Sequence, residues 1–181
     1  AGMLRGDKAQ EFLIDAVAEL KRRGRNVVAL IVGSVTNSQS SYDQELMSRA
    51  NKLGVTQAIR FTGYREDIPR LTQACDAQVI TSISVEAQSR TVPQAFASMT
   101  PVVASRVGGI EELVADQKTG ILVGIGDVFA YASALTDVLE NRNKTDHMVA
   151  SARTFAEHNL RLDNKMAETL AIYEDLTRQR R

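Results

Sequence analysis

Two groups of residues in this sequence have the types and spacing for chemistry on an anion. The first is Arg5 and Lys8, two cations on one Gly-containing loop that runs into a helix. A diphosphate carries negative charge on both phosphates, and two cations reaching from one loop suit it. The second is the stretch Ser84 to Ala104, which reads as strand end, polar loop, short helix and buried strand. Glu86 lies on its loop and Gln94 in the first helical turn, with Ser89, Arg90 and Thr91 between them. A polar loop from a parallel strand into a helix is where open α/β sheets bind ligands. A helix start also presents unpaired N–H groups and a positive dipole end to phosphate. Plainer roles stand open beside these. Arg5 and Lys8 serve equally as solvated loop charges, Glu86 as an exposed loop acid, and Thr91-Val92-Pro93-Gln94 as a capping box in which Gln94 reaches back to the cap N–H.

The elements that must position these residues follow from hydrophobic periodicity. Gly2 to Lys8 reads as a strand end and loop, with Asp7 placed to cap the next helix. That helix carries Phe12, Leu13, Ala16, Val17 and Leu20 at helical spacing and stops near Gly24. Val27 to Val32 is a continuous apolar run, as expected of a strand buried on both faces. A helix from about Ser40 to Lys52, a strand Ala58 to Phe61, a short helix Ile68 to Ala74 and a strand Ala77 to Ile80 follow. Beyond the Ser84–Ala104 stretch come a strand Pro101 to Ser105, a turn with Gly108 and Gly109, a helix Glu111 to Val114 and a strand near Ile121. Asp127 caps a helix bearing Phe129, Tyr131 and Leu135, and the rest is helical, broken near His158 to Arg161. Phe96, Met99 and Phe129 read as core. Strands alternating with helices predict an α/β fold: a Rossmann-like parallel six-stranded sheet with helices on both faces, its first strand beginning at the N-terminus.

Composition bounds the partners. The 22 Lys and Arg balance 22 Asp and Glu, which removes a broad electrostatic case for nucleic acid or acidic lipid. The single cysteine, Cys75, excludes an internal disulfide and reads as a buried, inert thiol. No stretch approaches the ~20 apolar residues of a membrane span, and no signal peptide is legible. No Cys/His or paired-carboxylate spacing makes a metal site, and His147 and His158 fall on late helical segments. The absence of an initiator Met, with a strand end at once, points to a fragment of a longer chain.

The order Glu86, seven residues, Gln94, a small-residue helix, Thr100-Pro101-Val102-Val103-Ala104 and then Gly108-Gly109 resembles the signature of the retaining glycosyltransferases of GT-B fold, family 4. It departs from that pattern in having Gln94 for the second acid and Ala87-Gln88-Ser89 for Gly-Phe-Gly. The family's basic pair aligns its Lys with Lys8, whereas its Arg falls on Met3, with Arg5 two residues on.

The resemblance implies one half of a GT-B fold: residues 1–181 as the C-terminal, nucleotide-sugar-binding domain, the N-terminal acceptor domain lying elsewhere in the chain. It implies that Glu86 accepts hydrogen bonds from the donor sugar, and that Lys8 and Arg5 meet the leaving diphosphate. Backbone N–H groups of Ser89, Arg90 and Thr91 would face that diphosphate, and Gln94 the ribose hydroxyls. Gly63, Tyr64 and Arg65 would edge the nucleobase, and Gly33 would line the cleft. The donor would be a UDP- or GDP-linked sugar and the acceptor a glycan or lipid-linked intermediate. No metal or other cofactor is expected. The setting would be cytoplasmic, with peripheral contact at the inner membrane face. Alternatives are a nucleotide-sugar-binding regulatory module that has lost the chemistry, favoured by Gln94, Met3 and the missing Gly-Phe-Gly, and a non-hydrolysing sugar-nucleotide epimerase, which would want catalytic acids and a His at the cleft that the sequence does not offer.

Overall fold

The computed structural model describes residues 2–35, 41–84, 86–87 and 89–178. Five strands form among them: β1 (Ala29–Val32), β2 (Ile59–Gly63), β3 (Gln78–Ile80), β4 (Val102–Ser105) and β5 (Ile121–Val123). All pairings are parallel, β1 with β2 in one sheet and β3-β4-β5 in order in another. The α/β class is as expected, but the six-stranded sheet is not. Gly2 to Leu4 runs beside β1 through Gly2 N–H to Val32 O (2.9 Å) and Leu4 N–H to Ser34 O (3.1 Å), too briefly to count as a strand.

The crossovers are α1 (Gln10–Arg22), α2 (Tyr42–Lys52), α3 (Ile68–Gln73), α4 (Thr91–Ala97), α5 (Ile110–Leu113) and α6 (Val128–Glu140), followed by α7 (Arg142–Asn159) and α8 (Leu162–Arg178). Successive side chains on a strand point to opposite faces, and β4 and β5 use both. Val103, Ile121 and Val123 pack against Ala16, Leu20, Tyr131 and Leu135 of α1 and α6. Val102, Ala104 and Leu122 pack against Val92, Phe96 and Ala152 of α4 and α7. A third cluster joins β1 and β2 to Ile14 and Val17 of α1 and Leu46 of α2. Helices therefore cover both faces, which is why the central strands read as unbroken apolar runs.

Several local expectations need correction. Asp7 lies in a 3-10 turn, Gly6–Lys8, and Ala9 in left-handed conformation (φ 48°) takes the cap position of α1 without a side-chain cap bond. Asp127 does cap α6, accepting from Ala130 N–H at 2.9 Å. Phe96 is fully buried, but Phe129 is 64% and Met99 58% exposed. The inward stripe of α6 is Tyr131, Leu135 and Val138, and Phe129, two residues before Tyr131, points away from it. Met99 lies beyond the end of α4 at φ 55°, off its helical face. The break expected near residues 158–161 is the α7–α8 junction, and α8 buries none of its residues. Ser40, Arg180 and Arg181 lie outside the described residues.

Candidate functional site

Because the strands within each sheet are parallel, their carboxyl ends gather on one edge. The loop from Leu4 to Lys8 crosses that edge between the two sheets. Leu4 N–H reaches Ser34 O beyond β1, while Ile83 N–H donates to Asp7 O (3.0 Å) and Thr81 Oγ1 to Lys8 O (2.7 Å) beyond β3. This stitching carries Lys8 to the loop after β3, where its ammonium pairs with the Glu86 carboxylate. The Lys8 side chain is 28% exposed and that of Glu86 12%. Ser82 Oγ donates to the same Glu86 oxygen at 2.8 Å. Ser105 Oγ, at the end of β4, donates to Ser82 O at 2.6 Å. A lysine ammonium has three donors, so Lys8 can serve Glu86 and an incoming anion together.

The backbone under Glu86 is held from the other side by the Gly108-Gly109 turn. Gly109 N–H donates to Glu86 O at 2.8 Å. A Cβ on Gly109 would stand 2.7 Å from Ala87 O and 2.9 Å from Glu86 O. Gly108 (φ +49°) approaches Glu86 N to 3.1 Å on the same measure. The two glycines are there for close backbone approach.

Lys8, Glu86, Ser82, Ser89, Arg90 and Thr91 all line one cavity of about 650 Å³. Ser89 is buried, its Oγ sharing a 2.9 Å hydrogen bond with Thr91 Oγ1, and Arg90 is exposed. Arg90, not Thr91, occupies the cap of α4, and no side-chain cap bond forms there. The capping-box account of Gln94 is therefore not realised; its side chain is exposed in the first turn. Arg5 is a different matter from Lys8. It forms a two-pronged ion pair with Asp7, and its guanidinium holds the Asp7 carboxyl below the usual carboxylate range. The positive charge of Arg5 is thus answered inside its own loop.

The remaining predicted residues share the sheet edge without joining the cavity lining. Gly33 follows β1 at φ +133°, and a Cβ there would fall 1.8 Å from Gly2 O, so only glycine lets the N-terminal segment pass. Its N–H donates to Gly63 O at 2.9 Å. Tyr64 is 76% exposed, and Arg65 forms an ion pair with Asp67, whose carboxyl is pulled down by it. His147 and His158 are exposed on α7. Among the described residues no group of three or more His, Cys, Asp or Glu could hold a metal ion.

Thr81, Ser82, Ser105, Gly108 and Gly109 are site residues that sequence reasoning missed or left as turn formers. The available signal was position: small hydroxyl residues at the ends of apolar strands, and a Gly-Gly pair just past the next one.

The profile of the family described as "Glycosyl transferases group 1" matches residues 1–155. This chain belongs to the group 1 glycosyl transferases. Lipopolysaccharide core biosynthesis mannosyltransferase LpsB of Rhizobium meliloti is 26% identical over 98% of this chain and 51% of its own length. A D-inositol 3-phosphate glycosyltransferase of Corynebacterium urealyticum is 31% identical over 97% of this chain and 42% of its own. The chain therefore spans about half the length of the curated group 1 relatives it matches, or somewhat less. Among solved structures, Anabaena Alr3699/HepE in complex with UDP-glucose superposes with a TM-score of 0.87 at 32% identity, over 94% of this chain and 47% of that one. The C-terminal domain of the group 1 protein LpcC from Francisella tularensis shares the fold, with a TM-score of 0.80 at 21% identity over 90% of this chain and 84% of that one. The fold is accordingly that of one Rossmann-like half of a GT-B glycosyltransferase. No described helix is long and apolar enough to cross a membrane.

Proposed function

We propose that this chain is the donor-binding half of a retaining glycosyltransferase that moves a sugar from a nucleotide diphosphate sugar to a glycan or lipid-linked acceptor. The observation that carries this reading is the meeting of Lys8 and Glu86 at the cavity, beside Ser89, Arg90 and Thr91. In this reading Glu86 accepts hydrogen bonds from sugar hydroxyls and favours positive charge developing at the anomeric carbon. Lys8, with the exposed Arg90, meets the charge that grows on the departing diphosphate, so that no metal ion is required. Arg5 contributes less than Lys8, because Asp7 already compensates it. Gln94 offers an amide, both donor and acceptor, to the ribose. The Gly63–Arg65 turn and Gly33 stand along the same edge, where a nucleoside extending from the diphosphate would lie.

The Anabaena relative's complex with UDP-glucose supports a UDP-linked donor as the first to try. A second half of similar size, carrying the acceptor residues, completes the enzyme in this reading, since the relatives are about twice as long. With a lipid-linked acceptor that enzyme would work from the cytoplasm against the membrane surface. Retention of the Lys8–Glu86 pair favours this over a module without chemistry.

Calorimetric titration with UDP, GDP and UDP-glucose tests the binding half of the proposal. One of them should bind, with Lys8→Ala weakening it at least about tenfold. Failure of all three to bind or to raise the melting temperature at millimolar concentration would refute it.

A further inference from the structure

From the last residue of β3 onward, Ile80 to Ile83 are tied down by hydrogen bonds that converge on the Lys8–Glu86 pair. Ile80 O accepts from Tyr131 OH at 2.8 Å, and Ser82 O from Ser105 Oγ at 2.6 Å. Ile83 N–H donates to Asp7 O at 3.0 Å. The two side chains between these anchors hold the pair itself. Thr81 Oγ1 donates to the Lys8 carbonyl at 2.7 Å, and Ser82 Oγ donates to Glu86 Oε2 at 2.8 Å. Both side chains are buried, Ser82 with only 1% of its surface exposed. A buried hydroxyl without a partner is costly. Ser82, its backbone held on both sides, therefore commits its proton to Glu86.

The Glu86 carboxylate receives two donors on one oxygen, because the Lys8 ammonium and the Ser82 hydroxyl both reach Oε2. Among the described residues Oε1 takes no hydrogen bond. A carboxylate has about four lone-pair sites, so one whole oxygen is left for a ligand on a side chain that lines the cavity. The ion pair by itself does not select that oxygen, since an ammonium acts as a point charge on a flexible stem. A hydroxyl at a fixed position does, because its hydrogen bond is directional. We propose that Ser82 is a positioning residue for Glu86: its buried hydroxyl pins Oε2 on the Lys8 side and turns Oε1 to a hydroxyl of the donor sugar. This role rests on the glycosyltransferase reading, in which Glu86 meets the sugar. Ser105 acts one step further back, by holding the Ser82 carbonyl.

Ligand selectivity separates this role from a merely structural one, because Glu86 meets the sugar and not the nucleotide. Calorimetric titration of the chain with UDP and UDP-glucose, or with GDP and GDP-mannose if wild type binds GDP, gives the affinity ratio of the sugar-bearing ligand to the bare nucleotide. Glu86→Gln sets the change expected when the sugar contact is impaired. Ser82→Ala should move the ratio the same way by at least about threefold, with affinity for the bare nucleotide changed by less than about twofold. Ser82→Cys keeps the size of the side chain with only a weak donor and should do the same. Ser82→Thr retains the hydroxyl and should hold the ratio within about twofold of wild type. Thr145→Ala removes a buried hydroxyl bonded to Val138 O (3.0 Å) between α7 and α6, and should lower the melting temperature with the ratio unchanged. Without ligand, Ser82→Ala should lower the melting temperature more in the wild-type background than in Glu86→Ala, where the acceptor is gone. A ratio that moves in Glu86→Gln but not in Ser82→Ala or Ser82→Cys overturns the positioning role alone, and so do equal melting shifts in the two backgrounds. A ratio that Glu86→Gln does not move, or a wild type that binds neither nucleotide, overturns the reading of Glu86 as the sugar contact, and this role with it.

Discussion

Lys8 and Glu86, 78 residues apart in sequence, form an ion pair across the gap between the loop that precedes α1 and the loop that follows β3. Ser82 completes the arrangement from beneath, donating to the oxygen that Lys8 also holds. The pair draws together the starts of the crossovers through α1 and α4, so its integrity reports on the sheet edge.

The two partners should respond differently to removal. Lys8→Ala leaves a mostly buried carboxylate without its cation, which should destabilise the fold by about 1–2 kcal/mol, less than a fully buried pair would. Glu86→Gln retains shape and most hydrogen bonds, so its melting temperature should stay near that of the wild type. In the full-length enzyme Glu86→Gln should abolish transfer while nucleotide binding persists. Turnover at the wild-type rate in that variant would remove Glu86 from the site.

The Gly108-Gly109 turn offers a test of the support beneath Glu86. Gly109→Ala places a methyl 2.7 Å from Ala87 O, backbone that cannot step aside alone. We expect a melting temperature several degrees lower, for a loss of about 1–3 kcal/mol, with nucleotide binding weakened as well. Gly124→Ala meets nothing closer than Asp127 Cβ at 3.6 Å and serves as the neutral comparison.

Tyr131 and Phe129, two residues apart on α6, should respond in opposite ways. Tyr131 is fully buried, and its hydroxyl donates to Ile80 O at 2.8 Å, where β3 ends below the site. Tyr131→Phe leaves that carbonyl without its side-chain donor and should lower stability by about 1–2 kcal/mol in urea unfolding. Phe129→Ala, at an exposed position, should change it by less than about 0.5 kcal/mol.

One carboxylate gives a pH signature. Arg22, then Arg23, hydrogen-bond Glu19 and hold its pKa down to about 2, against about 4.3 in an unfolded chain. A group depressed on folding stabilises the native state above its unfolded pKa and loses that contribution as pH falls through the folded one. Glu19→Gln should therefore lower the melting temperature at pH 7, and the difference from wild type should shrink between about pH 4 and pH 2. A difference that stays constant over that range would assign the effect to packing.

Much of the fold was legible because burial imposes periodicity. The α7–α8 break, the Asp127 cap and the apolar runs of β1 and β4 follow from local pattern alone. The failures had a common origin. Phe129 and Met99 are apolar by type, but Phe129 lies off the stripe of α6 that faces the sheet and Met99 lies past the end of α4. Asp7 has the chemistry of a helix cap, yet Arg5 two residues earlier takes its carboxylate.

By itself, the sequence determined the alternation of strands and helices, the polar loop around Glu86 between an apolar strand and a short helix, and the balance of charge that leaves no general attraction for polyanions. Tertiary structure alone decided which charges meet. Lys8 and Arg5 are two cations of one loop in the sequence, and only the folded loop gives one to Glu86 and the other to Asp7. It also decided that Gly108 and Gly109 buttress the Glu86 loop. The reason is that propensity and periodicity act over a few residues, whereas the contacts that build a site join backbone segments far apart in the chain, whose approach is set by packing of the whole sheet.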